Sequence, residues 1–188
     1  MAKSKPKIVV SPVVTAAYAW LSRPDEGQEY SDGKYKVTLV MDKMNKEVLD
    51  FIGELEEKST QIAEAAWDKA PKNMRMPFKD GDESDKEEFH GKWLLTAKTK
   101  YQPGFVGPDK SVLAEDDCPS SGDLVRASFV LKEYSTGGNK GVTSQLRNVM
   151  LIDKRNFGQG PSGDFGELEA IEKDTDGESN KDDFDIAI

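Results

Sequence analysis

The chain contains 188 residues, of which 36% are hydrophobic, and it carries a formal net charge of −9 at pH 7. No stretch approaches the roughly 18 consecutive apolar residues of a transmembrane helix, and the N-terminus lacks the apolar core of a signal peptide. These features argue against membrane insertion and export. The single cysteine, Cys118, excludes an intrachain disulfide and is typical of a reducing compartment, so we expect a cytoplasmic protein.

Most of the negative charge lies in two stretches. Residues 161–188 contain ten acidic residues and two lysines, and residues 80–88 contain six acidic residues and one lysine. The rest of the chain has a small excess of positive charge. Since a segment as acidic as 161–188 cannot bury enough apolar surface to offset the entropy of ordering it, we expect one folded domain over residues 1–160 and a disordered tail over residues 161–188.

The first half of the chain is predicted to contain two strands and a helix. Residues 7–21 are rich in valine and aromatic residues and are interrupted at Pro12, which favours a strand with a bulge or an edge position. Residues 34–41 alternate between apolar and polar side chains, as in a half-buried strand. Residues 45–70 repeat apolar side chains every three or four positions, which predicts an amphipathic helix that covers one side of a sheet and stops at Pro71.

The second half is predicted to consist of strands separated by long loops. Residues 93–101, 124–134 and 142–153 are predicted strands, the last either buried on both faces or bulged, and a glycine-rich hairpin connection joins the last two. Residues 72–88 and 102–122 are predicted loops. About five strands with one inserted helix favour a mainly β OB fold, a five-stranded Greek-key barrel, over a sandwich, although the number of strands does not separate the two.

Basic and aromatic side chains lie on the predicted outer faces of the strands. Unpaired nucleic acid binds to surfaces that combine cations for its phosphates with rings on which bases of any sequence stack. The residues expected to form such a DNA-binding groove are Trp20, Lys34, Lys36, Lys98, Lys100, Tyr101, Phe105, Arg126, Lys132, Tyr134, Lys140 and Arg147. Tyr18 is a further ring without an obvious place in the core. Taken singly, each ring also suits a core or its rim, and each lysine also suits ordinary solvated surface.

The sequence contains little evidence for a catalytic or metal-binding motif. His90 is the only histidine, and Cys118 lies beside two aspartates, whose negative charge makes it a poor candidate for a nucleophile. Residues 174–182 place oxygen-bearing side chains at alternate positions, but the glycine and the closing glutamate of a calcium loop are not where they should be. We therefore expect a protein that is not an enzyme and needs neither a metal nor a cofactor.

The acidic tail ends in an apolar tip that nothing in the tail could bury. This pattern is typical of a docking peptide, with a plain solubilising tail as the alternative. The residues expected to bind a partner are Asp182, Asp183, Phe184, Asp185, Ile186 and Ile188.

Several segments carry a resemblance to a known family. They are residues 122–134 and 141–149, residues 35–39 followed by the predicted helix, residues 93–100 followed by a Pro-Gly loop, and the acidic tail. Together they resemble the bacteriophage single-stranded-DNA-binding protein family, OB-fold replication proteins with an acidic C-terminal tail. The resemblance covers most of the chain but contains no single diagnostic motif. The tail tip departs from the form that ends in an aromatic residue, since the last residue here is Ile188.

The resemblance implies a non-catalytic protein that coats unpaired DNA of any sequence during phage DNA replication, recombination and repair in the host cytoplasm. It also implies that the tail recruits a polymerase, a helicase-primase or a nuclease, and it leaves a homodimer open. Because a tethered anion has a high effective concentration near a basic groove, we expect the tail to compete with DNA for that groove. The alternative is a protein-interaction module or DNA-mimic inhibitor that does not bind nucleic acid. A nuclease that uses the acidic residues 80–88 is a more distant third interpretation.

Overall fold

The computed structural model describes residues 6–26, 29 and 31–155. Within these residues the chain forms eight strands and one α-helix. In chain order they are β1 (Ile8–Val10), β2 (Val14–Trp20), β3 (Tyr35–Asp42), α1 (Lys46–Trp67), β4 (Phe78–Asp80), β5 (Lys92–Thr99), β6 (Gly104–Val106), β7 (Leu124–Thr136) and β8 (Asn139–Asp153). Short 3-10 helices lie at Gly81–Glu83, Glu87–Phe89 and Glu115–Asp117. No helix in the described part of the chain is long and apolar enough to cross a membrane.

Five of the strands close into a barrel. Each strand pairs with the next in the order β7, β2, β3, β5 and β8, and the long β7–β8 hairpin closes the circle. All of these pairs are antiparallel except β5 and β8, which run parallel. The short strands β1, β4 and β6 add to β7, β5 and β8 respectively. The predicted OB fold is confirmed, since this Greek-key barrel is closed where a sandwich would have two separate sheets.

Alternate residues of the barrel strands form the core. Val37, Leu39 and Met41 on β3 are fully buried, and β7 buries the alternate series that begins at Val125 and ends at Leu131. Burial of a side chain of this size contributes about 1.5–3 kcal/mol. The same alternation therefore decides which side chains of these strands point outward, where a ligand can reach them.

Helix α1 packs against β7 and β8. Its N-terminus is capped by Asn45, whose side chain accepts a hydrogen bond of 2.9 Å from the backbone N–H of Glu47. Phe51 is buried on the apolar stripe of the helix and meets Phe129 of β7 edge-on. The helix ends at Trp67, before the predicted stop at Pro71, because Asp68 adopts a left-handed φ of 61°.

Two of the predicted loops contain short strands. β4 lies within residues 72–88 and β6 within residues 102–122, and each is three residues long. Three residues are too few to show an alternation, so the sequence pattern could not reveal them. The hairpin is also tighter than predicted. Gly137 and Gly138, with φ of 56° and 82°, form a two-residue turn, and β7 and β8 extend into the predicted connection.

Strand β8 is bulged, which was one of the two alternatives that its sequence left open. Arg147 is an extra residue between the pair Phe129–Leu146 and the pair Ser128–Asn148. Because of the bulge, Leu146 and Val149 are both buried while Arg147 is exposed.

The acidic residues 80–88 are tied to the barrel. The ammonium group of Lys43, just after β3, pairs with the carboxylates of Asp80 and Asp82, and the backbone N–H of Gly91 donates a hydrogen bond of 2.6 Å to Asp82. The bond from Lys43 lowers the pKa of Asp80, and the bonds from Gly91 and Lys43 lower the pKa of Asp82. Residues 80–88, which lie in a predicted loop, are therefore held to the barrel by these contacts.

Candidate nucleic-acid interface

A groove of about 230 Å³ opens on the outer face of the barrel. Its lining residues are Lys34, Lys98, Thr99, Lys100, Tyr101, Lys132, Thr143, Ser144 and Gln145. Four of these side chains are lysines, and none of these described lining residues is acidic. The groove therefore combines positive charge, one aromatic ring and neutral hydrogen-bonding groups.

The register of the barrel explains why residues so far apart in sequence converge. Lys98 on β5 is paired with Lys36 on β3 and, on its other side, with Gln145 on β8. Lys132 on β7 is paired with Thr143 on β8. Since neighbouring strands are about 4.8 Å apart and alternate residues point the same way, outward side chains of four strands share one surface.

Lys34, Lys100 and Tyr101 extend this surface beyond the strand ends. The terminal β3–β5 pair joins Tyr35 to Thr99, so Lys34 and Lys100 are the next residues on their chains. Tyr101 follows, with its backbone N–H donating a hydrogen bond of 3.2 Å to Thr99 Oγ1, and it is 77% exposed. A ring this exposed beside lysines can stack on a base without disturbing the core.

Two aspartates from the loop between β2 and β3 pair with lysines of this surface. Asp32 accepts a hydrogen bond of 2.7 Å from Lys98 and lies 3.6 Å from Nζ of Lys36, which also pairs with Asp25. Partial burial raises the pKa of Asp32, but the hydrogen bond and charge of Lys98, together with the charge of Lys36, leave it below its ordinary value. Asp32 is therefore ionised at neutral pH and offsets part of the lysine charge.

Trp20 lies at the end of β2, next to the row of lysines. It is half-buried and paired with Lys36 across the β2–β3 ladder, and the guanidinium carbon of Arg23 lies 5.6 Å from its ring centroid. Trp20 therefore shares the outer face that carries the groove, although it does not line the groove itself.

Phe105 was expected to stack on DNA, and this prediction is wrong. Its side chain lies on β6, is 5% exposed and packs in the hydrophobic core. The surrounding glycine and proline residues are typical of a loop, and they concealed the short strand that buries the ring.

Arg126 and Arg147 do not join the groove. Arg126 is half-buried and donates a hydrogen bond of 3.4 Å to the backbone oxygen of Ser11. Along β7 it is roughly 20 Å from Lys132, at the ~3.4 Å rise per residue of an antiparallel strand. Arg147 is exposed on the bulge of β8 and is not among the residues that line the groove.

Tyr134 and Lys140 lie near the turn of the β7–β8 hairpin, beyond Lys132. Tyr134 is half-buried and is paired with Gly141. Nζ of Lys140 lies 5.2 Å from the ring centroid of Trp67, at the end of α1. These two residues therefore flank one end of the groove without lining it.

The uncharged polar residues and the aspartates of the site were not predicted from the sequence. Thr99, Thr143 and Gln145 line the groove, and Asp25 and Asp32 pair with its lysines or their neighbours. Thr143 is exposed on β8, where threonine is common in any sheet, and Thr99 is buried at the end of β5, so no sequence signal marks either residue. Asp32 lies in the connection between β2 and β3, far in sequence from Lys98, and only the fold brings the two together.

The predicted tail contacts lie outside the described residues. This applies to Asp182, Asp183, Phe184, Asp185, Ile186 and Ile188, and to the predicted domain boundary after residue 160.

The closed five-stranded barrel and its lysine-lined outer groove define an OB-fold protein of the kind that accommodates oligonucleotides. The chain belongs to the family of the Enterobacter phage Enc34 single-stranded-DNA-binding protein, whose family model matches residues 6–180. The resemblance inferred from the strand segments is thus confirmed.

Solved structures with the same fold include two phage proteins. The single-stranded-DNA-binding protein of bacteriophage Enc34, in complex with single-stranded DNA, matches with a TM-score of 0.67 and 20% identity over 80% of this chain and 89% of that chain. Bacteriophage T7 gp2.5, a single-stranded-DNA-binding protein, matches with a TM-score of 0.64 and 21% identity over 94% of this chain and 100% of that chain. The sequence has no significant match among curated proteins.

Proposed function

We propose that this protein binds single-stranded DNA of any sequence in the lysine-lined groove, and that it does so without catalysing a reaction. The observation that carries the proposal is the convergence of Lys34, Lys98, Lys100 and Lys132 around the exposed ring of Tyr101. These are the two components that unpaired DNA requires, cations for the phosphates and a platform for a base. Membership in the Enc34 family supports the same conclusion.

The energetics of such a groove do not depend on base identity. Each phosphate that a lysine neutralises releases condensed counterions, which gives a slope of log K against log salt of about −0.7 per phosphate on single strands. A base stacked on an aromatic ring adds about 1–3 kcal/mol, whichever base it is. Binding should therefore be salt-dependent and tolerant of sequence.

The proposed path of the DNA follows the geometry of other OB folds, which bind oligonucleotides on their second and third barrel strands and the adjoining loops. Here those strands are β3 and β5. The path runs through the groove and over Lys36 to Trp20, with Tyr134 and Lys140 flanking it at the hairpin end. Arg126 and Arg147 lie off this path.

We further propose that the protein coats unpaired DNA during phage DNA replication, recombination and repair. In this proposal the acidic tail competes with DNA for the groove and, once displaced, recruits replication proteins such as a polymerase, a helicase-primase or a nuclease. The support is the segregation of charge along the chain, since residues 161–188 carry ten acidic residues against two lysines. A tethered polyanion of this kind has a high effective concentration near a cationic groove.

Lysine footprinting tests the proposed function. The full chain is acetylated with and without oligo-dT, and the modification of each lysine is measured by mass spectrometry. Bound DNA should protect the four groove lysines several-fold and leave Lys46 and Lys58, on α1, unchanged as internal controls. Equal modification of all lysines with and without DNA would refute the proposal and favour the protein-interaction alternative.

A further inference from the structure

Tyr18 has an unusual backbone conformation at a bulge of β2. The β2–β3 ladder pairs Ala17 with Thr38 and Trp20 with Lys36, so two residues of β2 lie opposite Val37 alone. Tyr18, the first of these two, has a φ of 47°. A left-handed φ is uncommon for a bulky side chain, persists only where the surrounding structure enforces it, and is concentrated at functional sites.

The bulge presents the Tyr18 ring at the surface. The residue is 44% exposed, which makes it one of the few large hydrophobic side chains of the described residues that solvent reaches. The Phe89 ring, itself 7% exposed, supports it edge-on at 6.1 Å between centroids. The Tyr18 ring is thus held from one side and accessible from another.

The side chain of Lys86 contacts the Tyr18 ring. Nζ of Lys86 lies 4.6 Å from the Tyr18 ring centroid and donates a hydrogen bond to its hydroxyl, which raises the pKa of Lys86. Lys86 is the single cation of the acidic residues 80–88, and its side chain is exposed. An aromatic ring near a solvent-exposed cation is also what Tyr101 and Lys100 provide in the groove.

Tyr18 lies close along β2 to the outer face that carries the groove. Trp20, two residues along β2, is paired with Lys36, which is paired with Lys98 of the groove. From β2 to β8 there are three strand spacings, or roughly 14 Å at ~4.8 Å each. At the ~3.4 Å rise per nucleotide of stacked DNA, about four nucleotides cover this distance.

We propose that Tyr18 forms a second stacking subsite for the same DNA strand, with Lys86 as the cation for the adjacent phosphate. This inference rests on the proposed function and extends the DNA-binding surface from the groove on β5 and β8 to strand β2. In the DNA-free protein Lys86 covers the ring, and in the complex a base takes its place while the ammonium group turns to the phosphate.

The test compares the full chain with Tyr18→Gly, Tyr18→Phe and Lys86→Gln by fluorescence anisotropy of a labelled fifteen-nucleotide oligo-dT. Tyr18→Gly removes the ring but suits the positive φ, so the variant should remain folded, which thermal unfolding checks, while binding about 5- to 150-fold more weakly. Tyr18→Phe keeps the ring and should bind within about twofold of the parent. Lys86→Gln should reduce the salt slope by about 0.7.

Leu49→Ala is the control, because it removes another exposed apolar side chain, on α1. If the parent chain binds and Tyr18→Gly binds equally well, the ring is only a structural partner of Lys86 and the inference is overturned. An unchanged salt slope in Lys86→Gln would overturn the role given to the lysine. If the parent chain itself fails to bind oligo-dT, it is the proposed function that fails.

Discussion

Asp32 is the residue that most directly limits the charge of the proposed DNA surface. It holds the ammonium group of Lys98 at 2.7 Å and that of Lys36 at 3.6 Å, in the manner of a phosphate oxygen. Two backbone hydrogen bonds join residues on either side of it, from Asp25 N–H to Lys34 at 3.0 Å and from Gly33 N–H to Asp25 at 2.9 Å. A DNA phosphate must therefore displace or share this internal anion.

The substitution Asp32→Asn should tighten binding to oligo-dT by about two- to fivefold, because a partly exposed ion pair is worth at most about 1 kcal/mol. Asp50→Asn, on the exposed face of α1, makes the same change in net charge and should have little effect. The measurement is a fluorescence titration of all three proteins at one salt concentration. Weaker binding by Asp32→Asn would show that Asp32 instead orients Lys98 for DNA.

At the scale of single elements, the conformations of two glycines predict that replacement by alanine changes the free energy of unfolding in opposite directions. Gly138, in the β7–β8 turn, has a φ of 82°, whereas Gly53 lies in α1 and an added Cβ there would meet no atom within 4 Å. Gly138→Ala should lower the free energy of unfolding by about 1–2 kcal/mol. Gly53→Ala should raise it by about 0.5–1 kcal/mol. Urea unfolding measures both, and equal effects of the two would contradict the assigned turn.

The strands with a clear alternation were predictable from the sequence. On β3 and β7 the apolar residues at every second position form the buried face, so the outward direction of Lys36 and Lys132 followed from the pattern. The pairing of the strands could not be predicted from the sequence. Nothing in the local sequence states that Lys98 lies between Lys36 and Gln145, because that depends on the closure of the barrel.

Elements that interrupt a pattern were the least predictable. The bulge that exposes Tyr18, and the three-residue strand that buries Phe105, are each set by long-range pairing rather than by local propensity. An aromatic side chain in a glycine- and proline-rich segment can lie at the surface or in the core. Here the pairing of β6 with β8 places Phe105 in the core. This is why the outcome for Phe105 differed from that for Tyr101.

At the scale of the whole molecule, the separation of charge along the chain predicts a role for the tail. Substituting Asp182, Asp183 and Asp185 by asparagine should tighten oligo-dT binding at low salt, since the tail then competes less well for the groove. The matched control replaces Glu54, Glu57 and Glu64 on α1 by glutamine, which changes the net charge equally. Isothermal titration at low and high salt compares the two variants. If both variants bound oligo-dT more tightly by the same factor, net charge alone would explain the effect and competition by the tail would be refuted.

The central claim is that lysines of one groove bind the phosphates of unpaired DNA. Lys100 and Lys132 test it most cleanly, since neither has a carboxylate partner among the ion pairs of the described residues. The measurement is the slope of log K against log salt for oligo-dT, in the full chain and in the double variant Lys100→Gln/Lys132→Gln. The slope should become shallower by about 1.4, with weaker binding at every salt concentration, whereas Lys46→Gln/Lys58→Gln on α1 should leave it unchanged. Identical slopes in all three proteins would contradict the account.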